Sequence, residues 1–276
     1  MRQFSRQEVL DRLNKKKKNN APIIMSGAGL GIIATISDAA EIDMIMAYCT
    51  GAFRMEGQIS CMGSMPYSDS VEETMKLSRM LRNVKKTPVT AGIDPGSPFH
   101  SYETTICKMM DMGYSGITNV PSVGRIDSPR IRQYLDDADL GFDRELDVIK
   151  FCRERDIFTA FYGYTDDDVR ALVAAGVDAI GLHVGGTSGG LIGFLGVPSL
   201  EAACEKTQRM CEIAKSENPD VITFSHGGPF EGKYQIGECF RRTDVDGFIG
   251  ASSLERIPVE KTVMKVTKEF LALKTR

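Results

Sequence analysis

FTAFYGYTDDDVRALVAAGVDAIGLHV, Phe158–Val184, holds one complete strand–helix–strand unit. Its first run, Phe158–Tyr162, and its last, Ala179–Val184, are nearly continuous in apolar residues, as parallel strands buried on both faces must be. Between them Thr165 followed by Asp166, Asp167 and Asp168 reads as an N-cap with acids in the first helical turn, where the helix dipole favours negative charge. Gly176 after Ala175 supplies the left-handed stop. Working outward, the same unit recurs. Strand runs are predicted at Pro22–Met25, Asp43–Cys49, Pro88–Gly92, Ser115–Val120, Val221–Ser225 and Gly247–Gly250, each followed by a segment of helical period. Eight alternations of strand and helix predict a single (β/α)8 barrel over residues 1–276, with an extra N-terminal helix around Gln7–Leu13.

Length and composition agree. The chain has 276 residues, 42% hydrophobic and 26% charged, which suits one large globular unit and excludes disordered, collagen-like and disulfide-scaffold classes. A formal net charge of -3 argues against a nucleic-acid partner. The basic run Lys15–Lys18 reads as a solvated helix C-terminus. No apolar run reaches the length of a membrane span and the N-terminus has no signal-like stretch, so a cytoplasmic location is expected. Seven cysteines lack any C-x-x-C pair, which fits free thiols in a reducing compartment. Cys204 and Cys211 are seven apart and are read as helix packing.

In such a barrel the chemistry belongs to the loops at the carboxyl ends of the strands. After strand two the chain enters a long predicted loop, Thr50–Ser70, of the kind that serves as a lid, a binding loop or an oligomer contact. It carries Arg54, a candidate anion clamp whose alternative is an exposed pairing with Glu56 or a neighbouring subunit. The methionines at 55, 62 and 65 make a homo-oligomer the expected assembly. Strand six runs into His183-Val184-Gly185-Gly186-Thr187, strand seven into His226-Gly227-Gly228, and strand eight into Ala251-Ser252-Ser253-Leu254-Glu255. Glycines let backbone N–H groups converge on an anion, and Ser252 is placed to cap a short extra helix, so these three loops predict a phosphate or carboxylate cradle. Tight turns alone would also explain the glycines. Glu255 fits a capping box with Ser252 better than a catalytic acid.

Two of the three histidines, His183 and His226, fall at strand ends, where an imidazole can transfer protons or bind a divalent ion such as magnesium. His100 is read as a surface residue. Tyr48 and Cys49 on strand two, Asp94 after strand three and Asn119 at the end of strand four complete the candidates. Cys49 as a nucleophile needs a depressed pKa, and a buried thiol is the alternative. Asp94 reads equally as a turn residue and as a base or metal position. The metal ligands stay open, and no organic cofactor is implied.

Six segments together resemble the phosphoenolpyruvate hydrolase-like TIM-barrel family of the phosphoenolpyruvate/pyruvate-binding group: GAGLG (Gly27–Gly31), GAFRMEGQIS (Gly51–Ser60), NVPSVGRID (Asn119–Asp127), HVGGTSGG (His183–Gly190), SHGGP (Ser225–Pro229) and GASSLERIP (Gly250–Pro258). They run from the first strand to the last. The resemblance implies a barrel enzyme acting on a small phosphorylated or carboxylated anion of the phosphoenolpyruvate type. His226 or His183 would move the proton, and Asp94 or Asn119 would orient water or a divalent ion. The chain departs from the family at the strand-two Y-N-S-G motif, here Tyr48-Cys49-Thr50-Gly51, and at the strand-three turn. It also lacks the K-x-C-G-H loop of phosphonopyruvate and isocitrate lyase enzymes. Those departures keep a non-catalytic ligand-binding barrel, and a lyase or isomerase using the same cradle, as rival readings.

Overall fold

The computed structural model describes residues 2–275. Eight strands, β1 (Ile23–Gly27), β2 (Met44–Ala47), β3 (Val89–Gly92), β4 (Gly116–Thr118), β5 (Phe158–Gly163), β6 (Ala179–His183), β7 (Ile222–His226) and β8 (Gly247–Gly250), form a closed barrel in sequence order. All pairings are parallel, and β8 closes onto β1 through the register Met25↔Ile249. The helices are α1 (Arg6–Lys18), α2 (Gly31–Ala39), α3 (Cys49–Met55), α4 (Ser70–Lys76), α5 (Tyr102–Asp111), α6 (Pro129–Asp137), α7 (Asp143–Arg153), α8 (Asp166–Ala175), α9 (Leu200–Glu217), α10 (Lys233–Arg242) and α11 (Arg256–Leu271). Every predicted strand is present, with ends moved by at most two residues.

Local chemistry accounts for the boundaries. Thr165 and Asp168 form a reciprocal capping box on α8, and Gly176 stops it at φ 89°. Ser199 caps α9, in which Cys204 and Cys211 are both buried against the sheet. The long segment after β2 is not the open loop expected of it. Its first part is α3, and Ser60–Ser64 is a turn of 3-10 helix. Tertiary contact overrides the loop-like glycines here: a Cβ at Gly29 would lie 2.0 Å from the Gly51 carbonyl, so the β1 and β2 loops press directly on each other.

Two layers of core result. Residues facing outward from the strands, such as Ile45, Ala91, Ile117, Phe161 and Ile180, pack beneath the helices. Inward-facing Met25, Met44, Met46, Phe158 and Phe224 fill the barrel interior together with Val9 and Leu13 of α1. Helix α1 lies across the amino ends of the strands. There the even strands open alike: Ile42-Asp43, Tyr114-Ser115, Val177-Asp178 and Val245-Asp246 each precede a strand. Asp43, Asp178 and Asp246 accept the N–H of Ile24, Thr159 and Thr223 on the preceding strands, at 2.9, 3.0 and 2.9 Å. The N-terminal segment reaches all four positions, through Lys16 to Asp43 (3.2 Å), the Phe4 N–H to Ser115 (3.0 Å), Arg6 to Asp178 (2.6 Å) and Lys17 to Asp246 (3.6 Å). The run Lys15–Lys18 is thus the last turn of a docked helix. Among the described residues no helix is long and apolar enough to cross a membrane.

Candidate active site at the barrel mouth

At the carboxyl ends of β2 and β4–β8 a small cavity of about 50 Å³ opens at the barrel mouth. Of the predicted residues, Tyr48, Arg54, His183, Gly186, Thr187, His226, Ala251 and Ser252 line it. Thr50, Ser60, Arg125, Tyr162, Tyr164 and Phe194 line it too, and none of these was singled out from sequence. Tyr162 and Tyr164 carry on the inward alternation of Phe158 and Ala160, so their place on β5 was the available signal.

The two imidazoles face each other with ring centroids 4.9 Å apart, and Tyr162 and Tyr164 pack on them at 4.7 and 4.6 Å. Their hydrogen bonds assign opposite tautomers. His226 Nδ1–H donates to the Ile249 carbonyl at 2.8 Å, which leaves Nε2 with a lone pair. His183 Nδ1 accepts the Gly185 N–H at 3.1 Å, which leaves the proton on Nε2. Burial pushes His226 down to about 4, against the bond to Ile249, which raises it. Burial, then His226 and Arg125, hold His183 well below the usual histidine range. Both rings are therefore neutral near pH 7, one a proton acceptor and the other a donor.

Arg54 is not an exposed clamp and does not pair with Glu56. It is buried, donates to both Glu255 Oε2 and the Tyr48 hydroxyl, and reaches Ser60 Oγ at 3.3 Å. The capping box expected of Glu255 is absent, because its Oε1 accepts the Gly29 N–H and its Oε2 holds Arg54. Ser252 caps no extra helix, since residues 252–255 are a turn leading straight into α11. Ser253 is buried outside the mouth lining. Burial also raises the Tyr48 phenol to about 12, so it is neutral, accepts from Arg54 and keeps a proton to donate.

With Arg54 neutralised, Arg125 is the available cation. It follows the β4 loop, reaches the Ser60 carbonyl at 3.5 Å and lies over Phe194. Among the described residues it faces no carboxylate at ion-pair distance.

The glycine cradle is only partly as expected. Gly185, Gly227 and Gly228 stack one loop on another: the Gly228 N–H bonds to the Gly185 carbonyl at 2.9 Å, and a Cβ at Gly227 (φ 83°) would lie 2.0 Å from the same oxygen. The N–H groups of Gly186, Thr187 and Ser252 have no backbone acceptor among the described residues.

Three expected catalytic residues lie elsewhere. Cys49 is fully buried, its thiol pushed up to about 12 by burial, so it is not in the state of a nucleophile. Asn119 is committed to structure: it accepts the Tyr162 N–H at 2.7 Å and donates to Glu145 and to the Tyr162 carbonyl, so it cannot orient water. Asp94 faces a neighbouring groove, accepting from Ser70 Oγ at 3.0 Å and the Gly96 N–H at 3.1 Å. His100, expected at the surface, is half-buried beside Asp69 at 2.7 Å.

Among the described residues no cluster of three His, Cys, Asp or Glu side chains is placed to hold a metal. Magnesium prefers free carboxylate oxygens; among the described residues no carboxylate lines the mouth, and Glu255 behind Arg54 is held by it. The donor set of this mouth does not fit a hard divalent ion.

Fold and site thus define a (β/α)8 barrel with a paired-histidine, arginine-bearing mouth. The chain belongs to the phosphoenolpyruvate hydrolase-like family, whose profile matches residues 8–273. It is 32% identical over 267 residues to the ToMV susceptible protein tm-1(GCR26) of Solanum lycopersicum, covering 96% of this chain and 35% of that protein. The chain therefore spans about a third of the length of this curated relative. In structure it is similar to phosphonopyruvate hydrolase solved with oxalate and Mg++ (TM-score 0.60, 15% identity, 95% of this chain and 86% of that one). It is also similar to oxaloacetate acetylhydrolase bound to 3,3-difluorooxalacetate (TM-score 0.62, 14% identity, 99% and 88%). At these identities the likeness establishes the shared barrel.

Proposed function

We propose that the chain is an enzyme that hydrolyses a small enol-phosphate or related anion of the phosphoenolpyruvate type at the barrel mouth. The observation that carries this reading is the pair of neutral imidazoles with opposite proton placement beside Arg125. Arg125 and the N–H groups of Gly186, Thr187 and Ser252 hold the anion. His226 Nε2 takes a proton from water as the water oxygen bonds to phosphorus and the bond to the enol oxygen breaks. His183 Nε2–H and the Tyr48 hydroxyl donate hydrogen bonds to the enolate oxygen without giving up their protons, since a neutral imidazole is a poor acid but a good donor. The proton on His226 passes to the enolate carbon, giving inorganic phosphate and the 2-oxo acid. Arg54 and Glu255 position Tyr48. Residues 1–276 act as one unit in this scheme. A homo-oligomer is part of it, because Val263, Met264 and Phe270 of α11 leave an apolar face uncovered in the monomer.

Phosphorus NMR of phosphoenolpyruvate with the wild type and a His226→Ala variant tests the reading. Inorganic phosphate from the wild type alone supports it. A perturbed substrate signal without turnover overturns hydrolysis in favour of a binding barrel, and a product that keeps its phosphorus points to an isomerase.

A further inference from the structure

Beside the mouth lies a groove of about 990 Å³, against about 50 Å³ for the mouth itself. It runs between the segment 61–70, the β3 loop, the β4 loop and α6, and the two spaces share Arg125. We propose that this groove is a second subsite, which takes the apolar body of a substrate whose anionic head sits against Arg125. The inference rests on the anion-binding reading of the mouth and extends it: the substrate is a 2-oxo or enol acid with a carbon chain or ring well beyond three carbons.

Three observations carry it. The lining is dominated by Met65, Pro98, Phe99, Ile126, Ile131 and Leu135, and Phe99 and Ile131 stand 72% and 49% exposed rather than closing into a core. The volume is that of a ligand pocket, and a three-carbon acid would leave most of it to water. The acids of the groove are already satisfied from within. Asp69 caps α4 and bonds His100, Asp94 accepts from Ser70 and Gly96, and Glu145 accepts from Asn119, Ser122 and the Val123 N–H. Burial further favours the neutral forms of Asp94 and Glu145, the latter raised to about 8. Among the described residues Arg125 is the one Lys or Arg in the lining. The groove therefore offers apolar contact along its length and a positive charge at one end, which selects an anion-headed amphiphile over a cationic or peptide ligand.

Calorimetric titration of the full chain with straight-chain 2-oxo acids, from pyruvate to 2-oxooctanoate, tests this. Each methylene buried in the groove should tighten binding roughly fourfold. Arg125→Ala should weaken every member by a similar factor. Ile131→Asp, at an exposed position where thermal unfolding can confirm the fold, should abolish the gain per methylene. A flat series in which pyruvate binds in an Arg125-dependent way overturns the groove and leaves the mouth reading intact. Binding of no member overturns the mouth reading and the groove with it. Long members that bind Arg125→Ala as tightly as wild type overturn the shared-arginine arrangement.

Discussion

Around the mouth, two histidines, three tyrosines and two arginines crowd a space barely larger than a water molecule or two, whereas one loop away apolar side chains stand apart around a space some twenty times larger. The mouth is built from strand ends, whose side chains are aimed by the barrel's own hydrogen bonds. The groove is built from loops and α6, and apolar side chains among them, Phe99 and Ile131, stand exposed. The contrast separates two jobs. Fixed strand ends suit proton placement, which tolerates little error, and loops suit shape, which tolerates a great deal.

The sharpest way to break the mouth is to remove the charge that orders it. Arg54→Met leaves Glu255 buried without its partner and should destabilise the protein by about 3–5 kcal/mol in urea unfolding. Arg125→Ala, at the boundary of the two regions, should change stability by less than ~0.5 kcal/mol while weakening anion binding. Equal losses from the two variants would end the distinction between a structural and a ligand-facing arginine.

Next in size is His226→Ala, expected to lower phosphate release by roughly 10²–10⁴-fold, with a cost of about 1–3 kcal/mol in unfolding for the Ile249 carbonyl left without its donor. Behind the groove, Glu145→Ala leaves Asn119, Ser122 and the Val123 N–H without an acceptor and should cost about 2 kcal/mol, read as a shift in the denaturant midpoint.

A further effect is one of pH. His226 titrates near 4 in the free protein, so kcat/KM should hold through pH 6 and fall only toward pH 4. A bound anion raises the same ring, so kcat should fall at a higher pH than kcat/KM. The stability sign follows from the folded value lying below the unfolded one. The contribution is present above about pH 6.5 and lost as pH falls toward 4, and it should vanish from the pH–stability curve of His226→Ala.

The fold was open to reading because buried parallel strands leave continuous apolar runs, and Thr165, Ser199 and Gly176 mark helix ends chemically. Segment 49–64 misled because Gly51, Gly57 and Gly63 imitate a loop while contacts distant in sequence impose helix. His183 and His226 could be found because histidine is scarce and both sit at strand ends. The burial of Arg54 could not, because its partner lies 201 residues away. Asn119 looked catalytic by position, yet its amide joins β4 to β5. Arg125 sat within a quoted family segment, but nothing local marks an arginine as lacking a counter-ion.

Helix α1 and Phe4 just before it touch the residue that precedes every even strand, from Asp43 to Asp246. The helix precedes every strand of this barrel in the chain, yet its last docking partner, Asp246, lies just before β8. Its full set of contacts therefore forms only once the last strand is in place. Until then, the amino end of the barrel stands open, with Val9 and Leu13 outside the core they later help to fill. Closure of the barrel and full docking of this helix thus depend on the same contacts of long sequence separation.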